Sequence, residues 1–371
     1  MKKELFQFQY TNPDFVGMRC FLGNGYQSAE ISNNLGQGAG ICNYLQSPFP
    51  IMRLAGVYSY TSTIPAPEKR NQVQMDTIFR LLNTFGILPL DLDNPSHPKG
   101  DDLNEFLPTE FTQVFDMKQA VVKTNSKIEQ LMVETEVFLS RSHPNFGALK
   151  VNVSKSNGDH FGFCHLTRKD PYTCYEKVAL KEIGHGKSLW EVEFPEDGFD
   201  VQKKGLYHIA QITGIEVFDE HGNQLEFSYD RSEEDTDSVD FNEVSVWTTT
   251  VKCSPPKIST DQKYRWTVIL YFGVYKQSDC ETPRYANAYS GVDQGQRAIQ
   301  GLEEVMGLGY GGLFQAHKDA WEKDIWQNLI EVPDADENIQ KMLISSFYVM
   351  GCTYLEGLAY GNGPNGINGH W

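Results

Sequence analysis

The feature that most constrains this fold is a series of strand-like segments between about residues 15 and 275, with no helical pattern between them. Apolar and polar residues alternate in these segments and turn formers bound them, as is typical of strands. The segments are 113–122, 131–139, 148–154, 206–213, 243–251 and 264–272. Many strands without intervening helices favour an antiparallel sandwich over a βαβ sheet. The sequence therefore predicts a mainly β fold class with a large antiparallel sandwich.

The pattern becomes helical after about residue 290. Apolar residues three and four positions apart predict two helices, 293–306 and 312–326. The glycine-rich joint between them, 307–312, formally matches GxGxxG. Because it follows a helix rather than a strand, we interpret it as a flexible turn and not as a dinucleotide site.

A third predicted helix, 338–355, is apolar almost all the way round. Acidic residues at 334–337 supply carboxylates that cap its start. A helix with so little polar surface has to be surrounded by other protein. We therefore expect either the sandwich or another polypeptide to bury it.

The charge balance excludes some partners. The chain has 49 acidic and 32 basic side chains, which give a formal net charge of -17. A surface this negative repels phosphate backbones, so no nucleic acid partner is expected. No apolar run approaches the roughly 20 residues that span a bilayer. The start of the sequence also lacks the apolar core of a signal peptide, so we expect no membrane association and a cytoplasmic location.

Neither the cysteines nor the acidic residues indicate a metal site. The seven cysteines are scattered and lack CxxC spacing, which indicates reduced thiols rather than disulfides or zinc ligands. Sixteen acidic and three basic residues lie between positions 191 and 243, so a calcium loop has to be weighed. The glycine and spaced glutamate of an EF-hand are missing, which favours a solvated acidic loop. No metal and no cofactor are predicted.

Four stretches of the sequence carry a family resemblance. They are Leu22-Gly-Asn-Gly-Tyr26, Phe111-Thr-Gln-Val-Phe-Asp-Met-Lys118, His317-Lys-Asp-Ala-Trp-Glu-Lys-Asp-Ile-Trp326 and Asn368-Gly-His370. In order and approximate spacing they resemble glycoside hydrolase family 65, which contains disaccharide phosphorylases, acid trehalases and related α-glucosidases. The resemblance covers essentially the whole chain.

The resemblance implies three domains. An N-terminal super-β-sandwich would occupy residues 1–290, a helical linker 291–333, and the start of an (α/α)6 catalytic barrel 334–371. Of that barrel, the sequence has room for the first helix and the loop that follows it. The family's general acid, a glutamate, lies deeper in the barrel, as does its phosphate-binding loop or second carboxylate. The resemblance therefore predicts no catalytic residue within this sequence.

The glycine-rich stretch 363–371 is predicted to form the first active-site loop. In the family, its Gly-His pair is followed after one position by a phenylalanine, a tryptophan and an acidic residue that grip the glucosyl unit. His370 could hydrogen-bond a sugar hydroxyl or face solvent. Trp371 could stack on a sugar ring, although its position differs from that of the family's tryptophan. These two residues are the predicted substrate-binding residues.

Two other features are predicted to be structural. The Gly-Asn-Gly-Tyr segment at 23–26 is interpreted as a turn, with contact to the rim of the barrel as its functional alternative. Trp321 and Trp326 are expected to anchor the linker on the sandwich.

The combined prediction is the N-terminal part, or a subunit, of an enzyme that cleaves α-glucosides with inversion, by hydrolysis or phosphorolysis. A second polypeptide would complete the barrel and supply the acid, which implies a hetero-oligomer. The ligand would be an α-glucoside or another oligosaccharide. The alternative is a non-catalytic β-sandwich module that binds carbohydrate or protein, but such a module is expected to carry a continuous polar face on helix 338–355, which the sequence lacks.

Overall fold

The computed structural model describes residues 3–11, 20–31, 52–59, 77–93, 108–155, 161–168, 177–197, 204–234, 246–253, 266–276 and 293–356. Most of these residues lie in antiparallel strands, and two helices follow the last strand. The protein is therefore mainly β, as the alternating sequence pattern predicts.

The strands within the described residues are seventeen in number. They are β1 Gln7–Tyr10, β2 Phe21–Gly23, β3 Gln27–Glu30, β4 Met52–Ser59, β5 Thr77–Arg80, β6 Asn83–Asp91, β7 Glu110–Asp116, β8 Val121–Ile128, β9 Leu131–Leu139, β10 Phe146–Lys155, β11 Phe161–Arg168, β12 Lys177–Gly184, β13 Lys187–Asp197, β14 Lys204–Asp219, β15 Ser228–Glu234, β16 Val246–Cys253 and β17 Trp266–Lys276.

These strands form three antiparallel sheets in the described part of the chain. The largest has nine strands in the order β1-β7-β8-β9-β10-β17-β14-β13-β12. The two smaller sheets have four strands each, in the orders β15-β16-β11-β6 and β2-β3-β4-β5. Strands β7 to β10 form a meander, and β17 then pairs with both β10 and β14. The last strand in sequence therefore joins the two halves of the large sheet.

The two faces of the nine-stranded sheet pack against different layers. On β10, Leu149, Val151 and Val153 belong to the inner core, which the large sheet shares with the two smaller sheets. Phe146 and Ala148 on the same strand belong to a second cluster on the outer face. This alternation follows from the two-residue period of a strand.

Aromatic stacking joins the sheets across the inner core. Phe85 of β6 stacks on Phe272 of β17 with 4.5 Å between ring centroids. Phe161 of β11 stacks on Trp266 of β17 at 4.7 Å. Such offset pairs stabilise a core beyond the area that they bury. Together with the shared apolar cluster, they show the predicted sandwich.

Helix α1, Gln294–Asp324, covers the outer face of the large sheet. It begins at Asp293, whose carboxylate accepts a hydrogen bond of 2.8 Å from the backbone N–H of Gln296. This is an N-cap, which satisfies one of the free N–H groups at a helix start. The helix packs on the sheet through apolar side chains at helical spacing: Ala298, Leu302, Val305, Tyr310 and Leu313.

The glycine-rich joint predicted at 307–312 is a kink and not an open turn. Helical structure continues on both sides of it, and Gly309 alone has non-helical angles, with φ of 66° and ψ of 166°. A positive φ of this kind favours glycine. The predicted break is therefore confined to one residue, because Tyr310 and Leu313 pack on the sheet directly after it.

Helix α2, Glu337–Thr353, matches the third predicted helix within two residues at each end. The carboxylate of Asp336 caps it by accepting from the backbone N–H of Asn338 at 2.8 Å. One face of the helix is buried against the sandwich and α1, and its buried side chains are Ile344, Tyr348 and Cys352.

The predicted strand at 113–122 is wrong in extent, because the segment is a hairpin. Strand β7 ends at Asp116 and β8 begins at Val121. In the intervening turn the Asp116 carboxylate accepts from the N–H of Gln119, and Ala120 has a positive φ of 48°. The other five predicted strands coincide with or overlap β9, β10, β14, β16 and β17.

Several sequence predictions fall partly outside the described residues. The acidic peak continues past β15 into 235–245, which is not among them. Two cysteines with described side chains, Cys20 and Cys352, are buried and form no disulfide. The proposed limits 1–290, 291–333 and 334–371 remain predictions.

Candidate functional site

The predicted substrate-binding residues His370 and Trp371 lie outside the described residues, which end at Glu356. The structure does describe the region that leads to them. There the 23–26 turn and the 140–145 turn of the sandwich meet the end of α1 and the last turn of α2. We call this region the α2-end junction.

Arg141 is the central contact of the α2-end junction. Its side chain is buried, with 1% of its area exposed, and its Nε donates to the Asp324 carboxylate at 2.9 Å. The two terminal nitrogens donate to backbone carbonyls at the end of α2, Gly351 at 2.7 Å and Tyr354 at 3.2 Å. Carbonyls in the last turn of a helix lack intrahelical partners, and a cation there is favourable. Arg141 thus fixes the end of α2 to both the sandwich and α1.

His317 of α1 supports the same turn. Its Nε2 lies 2.8 Å from the carbonyl of Gln119, and its Nδ1 lies 3.1 Å from the backbone nitrogen of Arg141. A carbonyl only accepts and a backbone N–H only donates, so Nε2 carries the proton and the ring is neutral. Burial lowers the pKa of His317 to about 4, which keeps the ring neutral.

The 23–26 turn is held by Asn24, which is fully buried. Its amide nitrogen donates to the carbonyls of Ser140 at 2.7 Å and Pro144 at 2.9 Å. Its amide oxygen accepts from the backbone N–H groups of Tyr26 and Gln27. Asn24 therefore holds the 23–26 turn on the 140–145 turn, which carries Arg141. The 23–26 turn belongs to the first of the four stretches of the family resemblance.

The same turn contacts the end of α2 directly. The N–H of Gly25 donates to the carbonyl of Cys352 at 2.9 Å. Gly25 has a φ of 89°, and a Cβ there would lie 2.5 Å from the Tyr354 carbonyl. No side chain fits at this position. The predicted turn is therefore confirmed, and it touches the helix predicted to begin the barrel.

Trp321 and Trp326 anchor α1, as predicted. The ring of Trp321 lies between the Arg141 guanidinium, 5.2 Å from its centroid, and the Tyr348 ring, with which it stacks at 5.3 Å. The Nε1 of Trp326 donates to the carbonyl of Lys118 at 2.8 Å. Trp321 thus contacts α2, and Trp326 holds the end of α1 on the sandwich.

A second polar network lies under α1 on the large sheet. Tyr310 donates to Glu136 at 2.5 Å, and Tyr271 donates to Glu216 at 3.1 Å. Burial raises the pKa of Glu216. Burial also acts to raise the pKa of Glu136, but hydrogen bonds from Lys123 and Tyr310 outweigh it and lower that pKa. Because each carboxylate already binds a tyrosine beneath the helix, we assign both to the seating of α1 and not to catalysis.

The described residues give no indication of a metal or a membrane segment. Among them, no group of three or more His, Cys, Asp or Glu side chains is placed to hold a metal ion. Neither helix of the described chain is long and apolar enough to cross a bilayer.

Comparison with known proteins bears on the fold. No protein family matches the sequence, and no curated protein is significantly similar to it. A solved structure described as a putative kojibiose phosphorylase from the human microbiome matches with a TM-score of 0.65 and 13% identity. The match covers 99% of this chain and 44% of that protein, so this chain spans less than half of its length.

Two structures of family GH92 match less well. A glycosyl hydrolase has a TM-score of 0.39 at 10% identity, over 94% of this chain and 40% of its own. An α-mannosidase from Bacteroides thetaiotaomicron in complex with mannoimidazole has a TM-score of 0.30 at 11% identity. That match covers 74% of this chain and 33% of the α-mannosidase. Scores this low carry no argument. The first match shows that the chain has the fold of the part of that phosphorylase which it covers.

Proposed function

We propose that this chain provides the sandwich, linker and first barrel helix of an enzyme that cleaves α-glucosides with inversion, by hydrolysis or phosphorolysis. Further polypeptide, either a second chain or a continuation of this one, would complete the (α/α)6 barrel. The observation that carries this proposal is the exposed face of α2.

That face is apolar although it lies on the surface of the described residues. Ile339, Met342, Val349 and Met350 expose 47%, 62%, 52% and 54% of their area. They lie on one side of α2, opposite Ile344, Tyr348 and Cys352. Burial of a large apolar side chain contributes about 1.5–3 kcal/mol. Exposed Ser346 lies among them, and its hydroxyl donates to the carbonyl of Met342. A largely apolar face of this kind marks a protein contact, and helices of the barrel would cover it.

The α2-end junction supports the same assignment. Arg141 and the 23–26 turn hold the carbonyls from Gly351 to Tyr354, so the segment that follows starts from a fixed point. We propose that this segment carries His370 and Trp371 to the glucosyl unit. A substrate-binding loop benefits from such rigid support, because its contacts then need less ordering.

The proposed chemistry divides between the two parts of the enzyme. Inversion needs a proton donor on one side of the scissile bond and a water or phosphate on the other. We propose that the further polypeptide supplies the acid, and that His370 and Trp371 orient the sugar. Kojibiose is the first substrate to test, because it is named for the protein with the matching fold.

The experiment begins with the native particle. Its mass and the identity of every chain in it should show polypeptide beyond the 42.1 kDa of this sequence. The particle should release glucose from kojibiose or from another α-1,1-, 1,3- or 1,4-linked glucoside. Formation of glucose 1-phosphate only when phosphate is present would identify a phosphorylase.

Substitutions on α2 then test the exposed face. Met342→Glu with Val349→Glu should reduce assembly and activity at least about tenfold, since each places a charge in an apolar contact. Lys341→Gln is the matched control, because Lys341 lies on the opposite side and pairs with Glu337 at 2.8 Å. A stable, monodisperse 42.1 kDa monomer without activity would contradict the proposal and favour a binding module.

We also propose a cytoplasmic location. Cys20 and Cys352 are buried and form no disulfide, which suits a reducing compartment. Quantification of free thiols in protein taken directly from cells tests this, and disulfides among the seven cysteines would contradict it.

A further inference from the structure

A polar cavity lies between the 140–145 turn and the first half of α1. Its volume is about 290 Å³. Arg141, whose guanidinium binds the end of α2, does not line it. Its polar lining residues are Ser142, His143, Asn145, Tyr275, Arg297, Gln300 and Glu304.

The cavity combines hydrogen-bond donors with acceptors. Arg297 is buried, with 4% of its area exposed, and its guanidinium only donates. Glu304 at the rim only accepts when ionised, and it lies 3.6 Å from His143 Nε2. That distance is longer than a normal hydrogen bond. The His143 Nδ1 is 3.1 Å from the Ser142 hydroxyl, which fixes the ring of His143 beside the cavity.

Phe146, which is 2% exposed, and Tyr275 form part of the apolar wall together with Pro144 and Val305. Phe146 and Tyr275 meet edge to face with 5.9 Å between centroids. Gly301 faces them, and a Cβ at this position would lie 2.3 Å from the Tyr275 hydroxyl and 2.7 Å from Phe146. The glycine therefore lets α1 approach the rings without a side chain between them.

We propose that this cavity binds one neutral monosaccharide ring, at a site separate from the proposed catalytic barrel. Each sugar hydroxyl both donates and accepts, so it matches a wall that carries Arg297 and Glu304 together. A free anion would face Glu304, and a cation would face Arg297. The small volume suits a single ring rather than a chain, and aromatic faces or edges suit the C–H surface of a sugar.

The site follows from its own geometry, and it does not depend on the proposed function. Saturation-transfer NMR with methyl α-D-glucopyranoside tests it on the whole 371-residue chain. The sugar signals should be saturated by the protein, and a titration should give a single binding site. Binding in the millimolar range is expected, because few groups are buried in so small a contact.

Rim substitutions locate the binding. Gln300→Ala with Glu304→Ala should weaken binding at least about tenfold, and Gln300→Trp should block the mouth of the cavity. Both side chains lie on the exposed side of α1, so the fold should survive, which a melting curve checks. Glu303→Ala is the matched control, since Glu303 is exposed on the same turn but does not line the cavity.

Three results would overturn the proposal. One is the absence of saturable sugar binding by the unaltered chain. Another is sugar binding that neither rim variant weakens. The third is binding of inorganic phosphate in place of the sugar, because that would make the cavity an anion site. Loss of glucosidase or phosphorylase activity plays no part in this test, so failure of the sugar site and failure of the proposed function are distinguishable.

Discussion

The two helices of this protein follow one another in sequence, but they differ in how their apolar surfaces are used. Helix α1 places one apolar stripe on the large sheet, where Leu302 and Leu313 are fully buried. Helix α2 has a comparable buried stripe, but it also exposes Met342 and Val349 on its other side. Among the large apolar side chains of α1 only Leu308 is exposed, at 45%, whereas α2 exposes a whole face.

This difference shows which contacts stabilise the described fold and which are available to further protein. Burial on the sheet stabilises α1 within the chain. The second face of α2 contributes nothing until another polypeptide covers it. Replacing an apolar side chain on the buried stripe of α1 should therefore lower the stability of the chain. Replacing one on the exposed face of α2 should leave that stability nearly unchanged.

The largest expected effect follows directly from this contrast. Leu302→Ala should lower the free energy of unfolding by about 2–5 kcal/mol, because it leaves a cavity between α1 and the sheet. Met342→Ala should change it by less than about 0.5 kcal/mol, since the side chain is exposed and alanine favours a helix. Urea unfolding of both variants and of the unaltered chain provides the measurement.

Equal losses of stability in the two variants would contradict the comparison. That result would mean that the chain itself covers Met342 in solution. A loss for Met342→Ala that grows with protein concentration would instead indicate self-association through α2.

The sequence predicts the two halves of α1 and the whole of α2 as helices for a physical reason. Their apolar spacing is a local property, and the caps at Asp293 and Asp336 lie beside it. Of the two alternatives for the apolar helix 338–355, complete burial by the sandwich is not observed, because one face of α2 stays exposed among the described residues. The hairpin at 113–122 was missed because the turn residue with positive φ is Ala120, where a glycine or asparagine is usual.

The second prediction compares two ion pairs that join the sandwich to α1. Arg141→Ala should cost about 2–3 kcal/mol of unfolding free energy, because Asp324 and two carbonyls at the end of α2 lose their partner. Lys118→Ala should cost less than about 0.5 kcal/mol, because Lys118 and Glu322 are 44% and 53% exposed. Thermal melting of both variants measures the difference.

A small effect of Arg141→Ala would refute the central role of this residue in the α2-end junction. Its importance could not be predicted from the sequence, where it is a single arginine in a polar turn. Its three acceptors lie 183, 210 and 213 residues further along the chain. Only the packing of α1 and α2 on the sandwich brings them together. The prediction that His370 and Trp371 bind substrate follows from the family resemblance and not from a local sequence pattern.

The smallest expected effect concerns pH, and it tests how α1 is seated at the α2-end junction. Burial lowers the pKa of His317 to about 4; the hydrogen bonds to Gln119 and Ala120 oppose this shift, and the nearby charges of Arg141 and Lys318 add a smaller lowering. An unfolded histidine has a pKa of about 6.5. The unfolded state therefore binds more protons between these values, so stability is lost as the pH falls from about 6.5 to about 4.

At pH 5 the loss due to His317 should be about 2 kcal/mol relative to neutral pH. His165 has a similarly lowered pKa inside the sandwich and should add a comparable loss, so a single variant isolates the junction. Unfolding free energies of His317→Asn at pH 7 and pH 5 should differ by about 2 kcal/mol less than those of the unaltered chain. His221→Asn serves as the control and should leave the difference unchanged, because the His221 side chain is 63% exposed.

If His317→Asn showed the full loss, protonation of His317 would be tolerated in the folded state. The hydrogen bond from the Arg141 N–H would then not hold the ring neutral, and α1 would be seated by its apolar stripe alone.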